Sequence, residues 1–210
     1  AQRSDTQVFD EPLYAYYLRV SGAIHPGREE VLATQINDGS KVIKEIILKE
    51  HAPVSFHKLM THFLTDLDRS FLNKVTNILL IRDPAEMISS YTKVIPNPRM
   101  EDVGIKMQYE LYQSLKEQGK LSAVLDAKEL LKNPKIALLK LCEKIGIAFQ
   151  ENMLSWKAGA RKEDGSWAKH WYNNVHQSTG FMPYQEKQTN LEGTNLELVA
   201  ECQNYYEFLY

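Results

Sequence analysis

The sequence predicts an α/β fold in which helices cover a parallel sheet on both faces. Four short apolar runs have the composition of strands: 6–9, 53–57, 77–81 and 121–125. Helical patterns separate these runs, and a regular alternation of strand and helix is typical of a parallel sheet. A chain of 210 residues with 43% hydrophobic residues suffices for one domain spanning 1–210.

Amphipathic helices are predicted wherever apolar residues recur with helical spacing. They lie at 28–36, 41–50, 63–72, 85–94, 101–118, 134–145 and 195–209. The opening residues, 1–5, have the pattern of a helix end. The segment 156–184 mixes glycines, aromatic residues and both charge signs, which predicts a long ordered loop of the kind that often carries functional residues.

The composition excludes several classes of function. A formal net charge of −2 argues against general binding to nucleic acid or to a membrane surface. The two cysteines show no disulfide pattern, which fits a reducing compartment and predicts a cytoplasmic protein. No apolar run reaches membrane-spanning length, and the six scattered histidines show no metal-ligand spacing. We therefore expect neither a membrane segment nor a metal.

The third strand leads directly into a candidate anion site. Arg82 follows the strand, Asp83 has the position of a helix N-cap, and Pro84 stands at the first helical position. Ser90 lies about two turns into that helix. An arginine and a hydroxyl at the carboxyl edge of a parallel sheet form a phosphate site by geometry and charge. The alternative is a surface ion pair beside a capped helix.

Four segments together resemble the sulfotransferases that use 3′-phosphoadenosine-5′-phosphosulfate (PAPS). Arg82 with Ser90 matches the family's motif for the 3′-phosphate of the nucleotide. Three further segments match in order and spacing: 8–14, 128–147 and 161–167. The resemblance implies a three-layer fold like that of the P-loop NTPases, with a parallel central sheet flanked by helices. Segment 153–181 is similar to a bacterial-type branch, which also resembles a domain joined to aminotransferases in some larger proteins.

Two departures from the family pattern modify this expectation. The family's first strand and the loop that wraps the 5′-phosphosulfate would lie before Ala1, so we expect them to be absent from this chain or supplied elsewhere in the assembly. Unpaired strand edges would then favour homo-oligomers or domain exchange. Where the family often has a tyrosine near adenine, this chain has Ala127, so other groups are expected to recognise adenine.

The resemblance assigns catalytic roles near the ends of the first two strands. Glu11 is the expected general base, and its position before Pro12 predicts an extended backbone that turns the side chain toward a cleft. Lys58 is expected to stabilise the transferred sulfuryl group. Asp10 is expected to contact the substrate or to replace Glu11 as base, and His62 is a second candidate base. The alternatives are solvated carboxylates, a solvated lysine and a histidine at a helix start.

The predicted loop and the tyrosines after Glu11 supply the remaining candidates. Arg161 and Lys162 are expected to bring positive charge to the nucleotide phosphates. Gly165 would allow close approach, and Trp167 would pack on the nucleotide or anchor the loop. Two tyrosines are expected to line the acceptor pocket: Tyr14 and Tyr17. The alternatives are a solvated charged loop with a core tryptophan, and core packing for at least one tyrosine of this segment.

Three functions are consistent with these patterns. The leading hypothesis is a transferase that moves a sulfuryl group from PAPS to a hydroxyl or amine of a small molecule or sugar, without a metal. The missing loop and Ala127 motivate an alternative, a non-catalytic relative that binds a nucleotide or a partner. The third is a small-molecule kinase on a P-loop scaffold, which predicts a G-x-x-x-x-G-K-[ST] sequence upstream.

Overall fold

The computed structural model describes residues 2–210 and contains four strands separated by helices. The strands are β1 (Thr6–Asp10), β2 (Val54–Lys58), β3 (Asn77–Ile81) and β4 (Leu121–Asp126). The α-helices are α1 (Tyr14–Ser21), α2 (Arg28–Thr34), α3 (Gly39–Val42), α4 (Pro84–Tyr91), α5 (Met100–Val103), α6 (Ile105–Glu117), α7 (Ala127–Lys132), α8 (Pro134–Lys144), α9 (Ala168–Trp171), α10 (Asn173–Gln177) and α11 (Thr194–Leu209). Short 3₁₀ or π-helical segments follow at Ile43–Ile47, Thr61–Leu64, Ser70–Lys74 and Glu151–Leu154. Each predicted strand is found within one residue of its expected bounds.

The chain forms two compact units, each with one parallel pair of strands. The first unit contains 2–75 and 150–180, and the second contains 76–149 and 181–210. In the first unit β1 pairs with β2, and in the second β3 pairs with β4. The predicted class, parallel strands flanked by helices, is confirmed. Across residues 2–210, no helix has the length and apolar composition needed to cross a bilayer.

The parallel register of β1 and β2 brings polar side chains to one end of the first unit. The pairing runs from Thr6 opposite Val54 to Asp10 opposite Lys58. Beyond the last pair, the Glu11 amide N–H donates to the Lys58 carbonyl oxygen at 2.9 Å. Because parallel strands end at the same edge, the residues after β1 lie beside the last residue of β2.

The core of the first unit is built from aromatic residues of α1. Tyr14, Tyr16 and Tyr17 expose 2%, 5% and 5% of their surface, so the expectation that at least one lies in the core is confirmed. The rings of Tyr14 and Tyr17 stack on Phe63 with centroids 5.1 and 4.9 Å away. The Tyr16 hydroxyl reaches the backbone carbonyl oxygens of residues 65 and 66 at 3.0 and 2.9 Å, which satisfies its buried polar atom.

The core of the second unit forms where α11 packs against α4 and α6. Its buried residues include Ile81, Ile88, Leu198 and Cys202. At the edge of this core the Tyr206 hydroxyl donates to Asp126 Oδ2 at 2.9 Å. The other oxygen of that carboxylate accepts the Glu129 amide N–H and thereby caps α7.

Several helix predictions differ from the structure in extent or type, and the backbone explains two of them. The predicted helix 63–72 is replaced by two 3₁₀ segments, because Asp66 lies between them in the left-handed region at φ 53°. The predicted helix 101–118 is divided at Gly104, whose φ is 70°. Residues 3–5 of the expected helix end form a bend and a turn, and Ala1 lies outside the described residues.

The predicted loop is held closed at its base. Ser155 pairs with Gly180 in an antiparallel bridge, and the Trp156 amide N–H donates to the Thr179 carbonyl oxygen at 2.9 Å. The Trp156 indole N–H adds a bond to the Ser178 hydroxyl at 2.9 Å. Residues 155–180 therefore form an ordered segment that contains α9 and α10. It is called here the 155–180 loop.

We predict that Gly165→Ala disrupts this loop. A Cβ at position 165 would overlap the six-membered ring of Trp167, which is 2% exposed and cannot move aside without opening the core. The substitution should lower the free energy of unfolding by about 3 kcal/mol in chemical denaturation. Gly159→Ala in the same loop is the control. It meets no atom within 4 Å, so only the strain of its φ of 114° should remain, about 1–2 kcal/mol. Equal effects would contradict the packing.

Candidate functional site

A lysine and a glutamate meet at the end of the β1–β2 pair. The Lys58 ammonium donates a hydrogen bond to Glu11 Oε1 and forms an ion pair with it. The Lys58 side chain is 42% exposed, whereas that of Glu11 is only 10% exposed. The pair thus joins a buried carboxylate to a lysine side chain that is partly exposed.

The backbone of Glu11 is strained in the conformation that places this carboxylate. Its φ is 51°, in the left-handed region, so the extended backbone predicted from Pro12 is wrong. The reason is a tight turn: the Glu11 amide bonds to Lys58, and its carbonyl accepts the Tyr14 N–H at 3.0 Å. Such strain costs about 1–2 kcal/mol and is often found at functional sites.

Asp10 and Tyr172 complete the group around the ammonium. The Tyr172 hydroxyl donates to Asp10 Oδ2 at 2.7 Å and accepts a hydrogen bond from Lys58 Nζ at 2.9 Å. Lys58 Nζ lies 3.5 Å from Asp10 Oδ1 and 5.4 Å from the centre of the Tyr172 ring. These four residues, Asp10, Glu11, Lys58 and Tyr172, are called here the Lys58 cluster.

The Lys58 cluster holds two carboxylates and one ammonium, so negative charge is in excess. Burial raises the pKa of Glu11, and the nearby ammonium offsets this only in part. Burial works to lower the pKa of Lys58, but Glu11, Tyr172 and Asp10 outweigh it and raise that pKa above the ordinary value. The two pKa values are thus raised for different reasons, burial for Glu11 and the surrounding negative groups for Lys58.

This arrangement can accept a proton and stabilise an anion at neighbouring atoms. A carboxylate with a raised pKa is a stronger base than an ordinary one, and an ammonium beside it stabilises negative charge. When Glu11 takes a proton, its attraction for Lys58 falls and the ammonium becomes available to another anion. Within residues 2–210, no three His, Cys, Asp or Glu side chains lie together in a way that could hold a metal ion.

The aromatic candidates beside the cluster belong to the core. The His62 ring is 5% exposed and packs edge-on against Tyr17, with centroids 4.9 Å apart. The Tyr14 hydroxyl lies 2.9 Å from Nδ1 of His25. Burial, followed by the charge of Glu11, raises the pKa of Tyr14. Core packing therefore holds His62, Tyr14 and Tyr17 in place, and none of them is a mobile side chain.

The four candidates of the 155–180 loop fall into two groups. Trp167 is buried edge-on against Tyr14 with centroids 5.4 Å apart, and Gly165 lies against its ring, so these two anchor the loop. Lys162 is exposed and Arg161 is half-buried. The Arg161 amide N–H donates to Asp164 Oδ2 at 2.8 Å, which fixes the turn. The two cations are thus presented by a rigid turn.

In the second unit, the candidate anion site lies at the start of α4. Asp83 caps the helix by accepting the Glu86 amide N–H at 3.0 Å, as predicted. The Arg82 guanidinium is 35% exposed and donates to Glu86 Oε2 at 3.3 Å. The other oxygen of Glu86 accepts the Tyr184 hydroxyl at 3.0 Å. Ser90 is exposed and lies in the same helix. Arg82 thus precedes α4, and Ser90 lies within it.

Comparison with known proteins identifies the family. A family model described as "Sulfotransferase domain" matches residues 1–207. The chain belongs to the sulfotransferase family. The resemblance noted in the sequence is thereby confirmed over almost the whole length.

Two curated relatives from Arabidopsis thaliana carry the same kind of segment within longer chains. Branched-chain-amino-acid aminotransferase-like protein 1 is 39% identical over 185 residues, which is 86% of this chain and 33% of the relative. Branched-chain-amino-acid aminotransferase-like protein 2 is 34% identical over 212 residues, or 100% of this chain and 38% of the relative. The chain spans only about a third of their length.

Among solved structures, the sulfotransferase domain of the Synechococcus PCC 7002 olefin synthase is similar to this chain. The match covers 96% of this chain and 95% of that domain, at 14% identity and a TM-score of 0.46.

In this sulfotransferase domain, three members of the Lys58 cluster are predictable from the sequence and the fourth is not. Asp10, Glu11 and Lys58 were predicted from their positions at strand ends, and the structure brings them together. Tyr172 was missed because it is 162 residues from its partner Asp10. Its only sequence signal is an aromatic residue carrying a hydroxyl inside the predicted functional loop.

We predict that the strain at Glu11 serves the site and not the fold. Glu11→Gly should leave the free energy of unfolding unchanged or raise it by up to about 1 kcal/mol, because glycine adopts a positive φ freely. Asp66→Gly is the matched control, since exposed Asp66 has nearly the same φ, 53°, outside the cluster. Chemical denaturation measures both. If Glu11→Gly lowers the free energy of unfolding by more than about 1 kcal/mol while Asp66→Gly raises it, the Glu11–Lys58 pair is a structural ion pair instead.

Proposed function

We propose that this protein moves a sulfuryl group from PAPS to a hydroxyl or amine of a small molecule or sugar. The observation that carries the proposal is the buried Glu11 carboxylate in contact with the ammonium of the half-exposed Lys58 side chain. Sulfuryl transfer needs a base for the acceptor proton and a cation for the sulfuryl oxygens, and these two groups have those properties. Family membership supports the reaction class.

Glu11 is the proposed general base. Its carboxylate takes the proton as the acceptor oxygen or nitrogen attacks sulfur, and the bond from sulfur to the 5′-phosphate oxygen breaks. Lys58 then exchanges its contact with the neutralised Glu11 for the sulfuryl oxygens. Protonation of Glu11 thus releases the ammonium from that carboxylate at the moment when negative charge develops on the sulfuryl oxygens.

Arg82 and Ser90 are the proposed ligands of the donor's 3′-phosphate. A guanidinium binds phosphate through two parallel hydrogen bonds, and a hydroxyl adds a third. The present contact of Arg82 with Glu86, at 3.3 Å, is longer than the roughly 2.7–2.9 Å of a strong charged hydrogen bond. Little binding energy is therefore lost when phosphate replaces it. Arg161 and Lys162 are proposed to add positive charge toward the donor phosphates.

The acceptor is proposed to meet aromatic walls and one carboxylate. Tyr14 and Tyr17 provide buried rings. Asp10 Oδ1 is a buried oxygen without a hydrogen-bond partner in the described part of the chain. A substrate that carries a further hydroxyl or ammonium group could donate a hydrogen bond to this oxygen. Cys142 and Cys202 are buried and form no disulfide within the described residues, which supports the proposal that the protein works in the cytoplasm.

We predict that the desulfated nucleotide, 3′-phosphoadenosine-5′-phosphate, stabilises the protein through Arg82. At a hundred times its dissociation constant it should add about 2.7 kcal/mol, seen as a raised melting temperature. Arg82→Ala should remove most of the shift, and adenosine 5′-monophosphate, which lacks the 3′-phosphate, should produce little. Arg99→Ala removes an exposed arginine from the same unit and serves as the control.

The same titration also has outcomes that would contradict the proposed donor or its proposed ligands. No thermal shift with the wild-type protein contradicts PAPS as donor. An equal shift in Arg82→Ala assigns the 3′-phosphate to other residues. Binding without release of the nucleotide product from PAPS, across a panel of phenols, alcohols and amino sugars, would identify a non-catalytic relative.

We predict that Glu11→Gln lowers kcat by at least about 100-fold, since the amide cannot accept the proton. The wild-type rate should fall as pH falls through a pKa above the ordinary value for glutamate of about 4.3, because the raised pKa keeps Glu11 protonated to higher pH. Glu29→Gln, at an exposed position in the first unit, is the control. Product formation from PAPS against pH measures both. Retention of full activity in Glu11→Gln would show that another group is the base.

A further inference from the structure

The geometry assigns Tyr172 as a positioning residue, whose hydroxyl binds Asp10 and thereby keeps the Lys58 ammonium on Glu11. This inference rests on the proposed sulfuryl transfer, in which Glu11 and Lys58 act as a pair. Tyr172 itself touches neither donor nor acceptor in this role. It decides which of two neighbouring carboxylates the ammonium neutralises.

The hydrogen bonds around Tyr172 have a fixed direction. An ammonium can only donate and an ionised carboxylate can only accept. The single hydroxyl proton of Tyr172 therefore goes to Asp10 Oδ2 at 2.7 Å, and its oxygen accepts from Lys58 Nζ at 2.9 Å. The phenol stands between the ammonium and the carboxylate and forms a hydrogen bond with each.

Competition between the two carboxylates makes this arrangement necessary. Lys58 contacts Glu11 directly, whereas Asp10 Oδ1 is already 3.5 Å from the ammonium. A lysine side chain is flexible and readily shifts by this distance. If Asp10 lost its bond from Tyr172, it would draw the ammonium toward itself. Glu11 would then lose the opposite charge that keeps its pKa from rising further.

The backbone around Tyr172 is rigid enough to hold the hydroxyl in place. Tyr172 joins α9 to α10, and its amide N–H donates to the Ala168 carbonyl oxygen at 2.7 Å. Its own carbonyl accepts the His176 N–H at 2.8 Å. The His176 ring is tied in turn to Asp164 at 2.7 Å. The backbone that carries the hydroxyl is thus fixed within the 155–180 loop, independently of strands β1 and β2.

The test compares Tyr172→Phe with Tyr16→Phe. Phenylalanine keeps the ring beneath the ammonium and removes only the hydroxyl. Tyr172→Phe should lower kcat about 10- to 100-fold with little change in KM for PAPS, as for the loss of one charged hydrogen bond. It should also move the acid limb of the pH profile upward by about one unit. Tyr16→Phe removes a buried hydroxyl bonded to backbone oxygens and should move neither quantity.

A second measurement is independent of transfer activity. Carboxyl ¹³C NMR, with the Glu11 signal assigned by its loss in Glu11→Gln, should show a higher pKa for Glu11 in Tyr172→Phe than in wild type. In an Asp10→Asn background the same substitution should have a smaller effect, because the competing carboxylate is gone. An unchanged Glu11 pKa, or an equal effect in both backgrounds, overturns the inference. If wild type transfers no sulfuryl group, the proposed function fails, while this titration still decides the role of Tyr172.

Discussion

The site depends on two carboxylates that share one ammonium at the edge of a partly buried sheet. Burial alone would favour neutral forms of Glu11 and Lys58, and their contact keeps both charged groups in the fold. Asp10 adds a second negative charge beside the same ammonium, so a single proton on Glu11 changes the charge balance of the cluster. That responsiveness is what a proton-accepting base beside an anion-stabilising cation requires.

Three parts of the chain meet to maintain this balance. The parallel register of β1 with β2 sets Asp10 opposite Lys58. The tight turn after β1 aims Glu11 at the ammonium at the expense of backbone strain. The 155–180 loop adds the Tyr172 hydroxyl, and the loop itself is anchored by the buried Trp167. Each part is ordinary alone, and together they place one ammonium between competing partners.

The features predicted correctly from the sequence are those that local interactions determine. The strands were found because apolar runs such as Asn77–Ile81 need burial wherever they lie, and the cap at Asp83 follows from local chemistry. The helix over 63–72 was predicted wrongly because turn formation at Asp66 overrides helical periodicity. Tyr172 stayed hidden because its partners lie on distant strands, and no spacing records a contact made only in the fold.

The most direct test of the shared ammonium is the titration of Lys58 itself. In protein labelled with ¹³C at the lysine ε-carbon, the Lys58 signal is assigned by its loss in Lys58→Arg and followed against pH. Two nearby carboxylates predict that Lys58 stays charged above about 10.4, the ordinary pKa of lysine. Burial without their support would lower the pKa instead. A Lys58 pKa at or below the ordinary value would contradict the account.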